Sequence, residues 1–266
     1  MLEAKDIQYF ILGRPVVNKV SLKLKAGQLT AIVGPNGAGK SSLLKLLAGD
    51  YKAGAGAINY NGKCIQNYRP KDLAKIRAVM PQHSQLTFPF KVKEVVELGL
   101  LSLGLAHGEQ LVMEVMKETQ TWAFRDRLYG ALSGGEKQRV QLARVLVQVW
   151  AGTDQTKFLL LDEPTSSMDI AHQHQVLHIA SQLKRKNIAV LAVLHDLNMA
   201  AAYADQVILL KEGRIYQQGS VDEVMASQHL EHVFEHPIMV RNGYDGMPHF
   251  IQSLPVYQQN RTYKIA

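Results

Sequence analysis

Apolar residues along this chain are grouped in two ways, and the grouping changes with position. Short apolar runs at Leu29–Val33, Ala78–Met80, Phe158–Leu161 and Ile188–Leu194 read as strands buried on both faces, the signature of a parallel sheet. Leucines at 43, 44, 46 and 47 within Lys40–Ala48 read as a helix, and Gly49 is placed to end it. A second helix is expected from Ser133, where Ser133 and Glu136 form a capping box, through Gln138, Leu142, Ala143 and Val147. Residues 2 to about 85 read as strand-rich, with a hairpin turn at Asn61-Gly62; about 86 to 150 as mostly helical; 155 to about 240 as strands alternating with helices. The pattern predicts an α/β core interrupted by a helical subdomain, with residues 241–266 forming a tail that carries no motif.

The strand at Leu29–Val33 leads directly into Gly34-Pro35-Asn36-Gly37-Ala38-Gly39-Lys40-Ser41-Ser42, a complete P-loop between a strand and a helix. Its glycines let successive backbone N–H groups turn towards phosphates, and the following helix adds the positive end of its dipole. Lys40 is expected to reach the outer phosphates, and Ser41 to ligate Mg²⁺. A nucleotide is the ligand this arrangement implies.

Two acids, Asp162 and Glu163, end the apolar run Phe158–Leu161, at the edge of a parallel sheet where a P-loop also sits. Alternation along a strand points them to different sides, so different roles are expected. Asp162 is expected to hold the Mg²⁺ shell, and Glu163 to polarise the water that attacks the γ-phosphate. His195 follows the run Ile188–Leu194 at the same kind of edge, where its imidazole could contact the γ-phosphate. Gln82, just after Ala78–Pro81, could reach Mg²⁺ or the attacking water with its amide oxygen. At Ser133-Gly134-Gly135-Glu136 the capping box accounts for the serine and the glutamate but not for the glycine pair. Two glycines weaken a helix start unless something approaches the bare backbone, and such a start is an anion site.

Bulk properties narrow the classes. The chain has 266 residues, enough to bury a core without disulfides, and Cys64 is its one cysteine, which fits a reducing compartment. No apolar run approaches the roughly 18 residues of a membrane helix; 95–106 comes nearest and is broken by Glu97, Gly99 and Gly104. Met1–Asp6 lacks the pattern of a signal peptide, so a cytoplasmic chain that borrows its membrane span from a partner is expected. Lysine and arginine number 30 against 23 acids, yet they are scattered, with Lys184-Arg185-Lys186 the one tight cluster. Nucleotide phosphates and an anionic membrane face explain this balance without nucleic acid. His174 and His178, and His232 and His236, share helical faces but lack a third ligand at suitable spacing, so surface or interface roles are expected.

Taken in order, the P-loop at 34–41, Gln82, Leu132–Glu136, Leu159–Glu163, Ser166–Asp169 and His195 resemble the motif series of the ATP-binding subunit of an ATP-binding cassette (ABC) transporter, over roughly residues 2 to 235. The resemblance implies a P-loop NTPase of RecA-like type and a head-to-tail homodimer holding two ATP molecules with Mg²⁺. Each ATP would lie on one P-loop and be covered by Ser133, Gly134 and Gly135 of the other copy. It further implies Glu163 as general base, His195 as γ-phosphate switch, Asp169 as the link between sites, and Gln82 as the coupling to a membrane permease dimer. The chain would sit on the cytoplasmic face of the inner membrane and be served indirectly by a periplasmic substrate-binding protein. Met80-Pro81-Gln82 with Phe88-Pro89-Phe90 is similar to the importers of iron-siderophores, haem and cobalamin. The stretch 169–175 and the loop Trp150 to Lys157 are most like the haem importers. Haem import is therefore the expected function, with a siderophore or cobalamin importer as the alternative. An exporter fits less well, and a soluble ABC ATPase would normally carry an insertion, zinc ligands or a second cassette. Three positions depart from the family pattern: Lys91 stands where a threonine cap is common, Ser167-Met168 replaces Ala-Leu, and the aromatic expected to stack on adenine falls among Tyr9, Phe10 and Ile11.

Overall fold

The computed structural model describes residues 1–82, 86, 88–104, 108–151, 155–166, 168–241, 243 and 250–254. Ser167, residues 152–154 of the 150–157 loop, and most of the stretch beyond 241 lie outside the described residues. In chain order the elements are β1 (Leu2–Ile11), β2 (Arg14–Leu24), β3 (Leu29–Val33), α1 (Lys40–Ala48), β4 (Ala55–Tyr60), β5 (Lys63–Cys64), α2 (Pro70–Ile76) and β6 (Arg77–Met80). The helical stretch follows, with α3 (Val92–Glu97), α4 (Glu109–Glu118) and α5 (Gly134–Trp150). The remainder is β7 (Lys157–Asp162), α6 (Ile170–Gln182), β8 (Ile188–Val193), α7 (Leu197–Tyr203), β9 (Gln206–Lys211), β10 (Arg214–Gly219), α8 (Val221–Val224), α9 (Ser227–Phe234), β11 (Ile238–Arg241) and β12 (Phe250–Ser253).

The central sheet has the order β10-β9-β3-β8-β7-β6, parallel except for the edge strand β10. Beside it lies an antiparallel sheet, β2-β1-β4-β5, closed at one end by the Asn61-Gly62 turn, whose two residues both take positive φ. The unbroken apolar runs follow from burial on two faces. Leu159 and Leu161 of β7 face the core shared with α5 and α6, while Phe158 and Leu160 face the core shared with α1 and the antiparallel sheet. β8 divides in the same way, Val190 and Ala192 against Leu191 and Val193.

Register explains why residues far apart in sequence meet. Val193 pairs with Ile32 on one side and with Asp162 on the other, so the chain leaves β3, β7 and β8 at one edge. Met80 pairs with Leu161, which brings Gln82 beside Glu163. The helical stretch is fastened to this sheet through α5. Its buried Val140, Leu142, Leu146 and Val149 belong to the same core as β7, and Gln148 Nε2 donates to the carbonyl of Arg77 at 2.9 Å. Lys157, itself buried, donates to the carbonyls of Gln148 and Ala151 and so closes the carbonyl end of α5. Lys91 supplies no side-chain acceptor to α3; instead its N–H donates to the Glu94 carboxylate at 2.7 Å, a one-sided cap. At the far end the chain turns back, β12 pairs antiparallel with β11, and Ile251 is buried in the same core as α7.

Candidate active site

The loop after β3 is shaped by close backbone approach. A Cβ at Gly34 would lie 2.2 Å from the Leu210 carbonyl oxygen, and one at Gly39 would lie 2.5 Å from that of Val16; both residues have positive φ. Only glycine fits, and the loop curls around a cleft of about 250 Å³. Val16, Asn36, Gly37, Gly39, Lys40, Ser41, Ser42, Glu163 and His195 line it. Two larger clefts, of about 620 and 630 Å³, lie at the starts of β3 and β9 and behind the end of α1, away from the converging acids.

Lys40 is buried, and its ammonium donates to the carbonyls of Gly34 at 2.7 Å and Pro35 at 2.9 Å. Burial lowers its pKa, and the nearby carboxylates of Glu163 and Asp162 oppose that shift. The ammonium is thus held by neutral acceptors that phosphate oxygens can replace, and phosphate is the stronger partner for a cation. Ser41 donates its hydroxyl to Asp162 Oδ1 at 2.9 Å. Burial raises the Asp162 carboxyl above its ordinary value, with Glu163 adding to the rise and the Ser41 bond opposing it.

Glu163 takes a left-handed φ of 51°, which turns it out of the strand away from the direction of Asp162. One carboxylate oxygen accepts from Gln82 Nε2 at 2.6 Å, and the other meets His195 Nε2 at 2.5 Å. Ser166 closes the turn behind it, its N–H and hydroxyl both donating to the Glu163 carbonyl, and Gln138 of α5 donates to that hydroxyl at 2.5 Å. The sequence marks Asp162, Glu163, Gln82 and His195 but not the Gln138–Ser166 strut, for which a lone glutamine four residues after Gly134 gives no signal. Val16 was also missed, since a valine inside a strand looks like any other. Of the three candidates for contacting adenine, Tyr9 is stacked on Tyr51 with centroids 5.0 Å apart, whereas Phe10 and Ile11 are exposed at the hairpin tip.

Ser133, Gly134, Gly135 and Asp169 do not line this cleft. Ser133 caps α5, its hydroxyl accepting from the Glu136 N–H at 3.3 Å while its own N–H donates to the Glu136 carboxylate at 2.8 Å. Asp169 caps α6, accepting from the His172 N–H at 2.9 Å and meeting His172 Nδ1 at 2.8 Å, contacts that hold its carboxyl below the ordinary range. Among the described residues no group of three metal-ligating side chains occurs. His174 Nδ1 lies 2.8 Å from the Tyr203 hydroxyl, and His232 stacks on Tyr216.

A family model described as ABC transporter matches residues 17–166. The chain belongs to the ABC transporter family. The hemin import ATP-binding protein HmuV of Rhodopseudomonas palustris (strain BisA53) is 40% identical over 95% of this chain and 94% of that protein. The protein of the same name from Gloeobacter violaceus is 46% identical over 87% of this chain and 86% of its own length. Among solved structures, a dimeric bacterial ABC transporter cassette superposes with a TM-score of 0.73 at 25% identity, covering 83% of this chain and 99% of that one. The α/β P-loop NTPase fold with a helical insertion is therefore that of an ABC ATPase, an ATP-binding enzyme coupled to transport. ABC ATPases of importers work as dimers with a membrane permease, and among the described residues of this cassette no helix is long and apolar enough to cross a membrane.

Proposed function

We propose that this cassette hydrolyses ATP to drive haem import. The observation that carries the catalytic part is the convergence of Lys40, the Ser41–Asp162 pair and the Gln82–Glu163–His195 chain on one cleft. The cargo rests on relatives named for hemin import that align over nearly the whole chain. Ser41, Asp162 and the Gln82 amide oxygen form a hard-oxygen donor set that fits Mg²⁺ and would hold it. Bound there, Mg²⁺ would neutralise phosphate charge as it does in other P-loop NTPases. The loop amides of residues 34–42 and Lys40 bind and orient the β- and γ-phosphates. Glu163 takes the proton of the water whose oxygen attacks the γ-phosphorus, the bond to the bridging oxygen breaks, and ADP and phosphate leave. His195 holds the γ-phosphate side of Glu163, and Gln82 reports the state of the site to the permease.

Two copies are proposed to pair head to tail, with Ser133, Gly134 and Gly135 of each covering the ATP of the other and Asp169 linking the sites. The pair docks on the cytoplasmic face of an inner-membrane permease dimer that receives its cargo from a periplasmic substrate-binding protein; nucleic acid has no part. The test is reconstitution of the cassette with its co-purifying permease in liposomes. ATP-dependent haem uptake that stops with Glu163→Gln is expected. Uptake of a ferric siderophore or cobalamin with no response to haem would overturn the cargo and leave the ATPase reading in place.

A further inference from the structure

Beyond the motifs, one side chain joins the helix that follows His195 to β12. Asn198 lies three residues after His195, on the first turn of α7. Its amide nitrogen donates to the Ile251 carbonyl at 3.0 Å, and its amide oxygen accepts the Ile251 N–H at 2.7 Å. A side-chain amide that satisfies both polar groups of one residue imitates a strand partner, so β12 is held on one side by β11 and on the other by Asn198. Ile251 is 7% exposed and packs in the core shared with α7, which fixes the strand's depth as well as its register.

The other end of this link leads to His195. Asp196 Oδ1 accepts the N–H of Asn198 at 2.7 Å and of Met199 at 3.1 Å, so the turn between His195 and α7 is rigid. On the far side, the N–H of Leu194 donates to the Ile32 carbonyl at 3.0 Å, tying the chain to the strand that feeds the P-loop. His195 stands between these anchors with 48% of its side chain exposed, and its Nε2 meets the Glu163 carboxylate. Its position opposite Glu163 is therefore set by the backbone on either side.

We infer that Asn198 is a positioning residue for His195 and that β12 is the strap on which it acts, giving the C-terminal segment a part in ATP turnover. This rests on the proposed role of His195. Without β12, the Asn198 amide loses both partners and α7 loses one of the contacts that set its roll, while Met199 and Ala200 stay packed in the core. The imidazole then samples orientations that miss Glu163 and the γ-phosphate. Nucleotide binding, which the P-loop carries, stays as it is.

The test measures kcat and KM for ATP in the full chain and in four variants, with His195→Ala as the reference. Asn198→Ala is expected to lower kcat about tenfold with KM within about twofold, the pattern of a lost transition-state interaction. Removing residues 250–266 is expected to give the same loss, and Asn198→Ala in that shortened chain to add nothing. Asn198→Asp keeps the acceptor for the Ile251 N–H but not the donor, so it should fall between; it also serves if the shortened chain does not fold. An Asn198→Ala protein with a lowered Tm and unchanged kcat would overturn the inference, as would additive losses in the combined variant. If His195→Ala itself turned over normally, the role of His195 would fall and the failure would lie with the site, not the strap.

Discussion

Two helix starts in this cassette are nearly the same object. At α5 the Ser133 N–H donates to Glu136 at 2.8 Å and the Glu136 N–H to Ser133 Oγ at 3.3 Å; at α8 the corresponding bonds of Ser220 and Glu223 are 2.8 and 3.4 Å. Both are complete capping boxes. Between cap and glutamate, α5 has Gly134 and Gly135, while α8 has Val221, packed against the core, and Asp222. One start is closed by an apolar contact and an acid; the other leaves backbone amides bare at a positive helix end. A capping box therefore does not mark a function, and what it leaves uncovered does. The P-loop cleft, by contrast, gathers its cation and its acids from one chain, Lys40 from the loop and Asp162 and Glu163 from the end of β7.

The largest expected effect comes from giving α5 the residues of α8. The pair Gly134→Val and Gly135→Asp keeps the box and should leave the fold at least as stable, since glycine inside a helix costs roughly 0.5–1 kcal/mol. Steady-state ATPase is expected to fall about 100- to 1,000-fold, the size of losing a preorganised donor to phosphate. Glu163→Gln should fall by a similar factor, within the roughly 10²–10⁴ range of a general base. Their dimers should differ, and steady-state turnover alone does not reveal it. With ATP the Glu163→Gln protein accumulates as a dimer, whereas the glycine-pair variant stays monomeric on a sizing column. An ATP-bound dimer of the glycine variant would show that the bare helix start is not part of the interface.

Mixing the two halves asks the same question by geometry. In a heterodimer of Lys40→Ala with Ser133→Arg, one interface carries both lesions and the other carries none. Recovery of about half the parental ATPase is expected if one site can turn over, with each single variant alone expected to be inactive. Heterodimers without recovery, and with no nucleotide-dependent cross-link between Ser133 and the P-loop of the partner copy, would exclude the head-to-tail arrangement.

The strands that carry the site were legible because burial on two faces leaves no polar position in Leu159–Leu161 or Val190–Leu194 to confuse with a helix. The P-loop was legible because Gly34 and Gly39 answer to contacts that any other residue would violate. What the sequence withheld depends on register and on polar pairs across long separations. Nothing local to Asn198 announces a bond to Ile251, 53 residues away. The Gln138–Ser166 strut is hidden for the same reason. The stretch after residue 240 looked featureless because β12 is a short strand whose buried Ile251 needs β11 and α7 beside it to be recognised.

A smaller effect separates the catalytic half from the capping half by pH. Burial raises the Asp162 carboxyl above its ordinary 3.8, so the folded chain holds this proton more tightly than the unfolded chain does. The carboxylate therefore costs stability at neutral pH; the cost is absent below the ordinary value and grows as pH rises through the window up to the folded value. Asp162→Asn keeps an acceptor for Ser41 and removes the charge. It should raise the Tm of the nucleotide-free cassette by a few degrees, in the range of about 0.5–2 kcal/mol for such substitutions, while abolishing the extra stabilisation by Mg²⁺ with ATP. The gain should fade as pH is lowered towards 3.8. A variant no more stable than the parent at neutral pH would mean that the Ser41 bond already offsets the burial.

The smallest effect is the one that isolates the caps themselves. Ser133→Ala and Ser220→Ala each remove one accepted N–H bond of nearly equal length, 3.3 and 3.4 Å, from the first turn of a helix. Each should cost about 1 kcal/mol, or a Tm loss of about 2–4 °C for a chain of this size. Equal losses are expected because both boxes are exposed and both retain the reciprocal bond to the glutamate. Turnover should then divide the pair: Ser220→Ala is expected to keep the parental kcat, and Ser133→Ala to lower it, because only the Ser133 hydroxyl is assigned to an ATP held by a second copy. If both alanine variants lost the same stability and neither lost turnover, the two glycines alone would carry the contact, and Ser133 would be a cap in the same sense as Ser220.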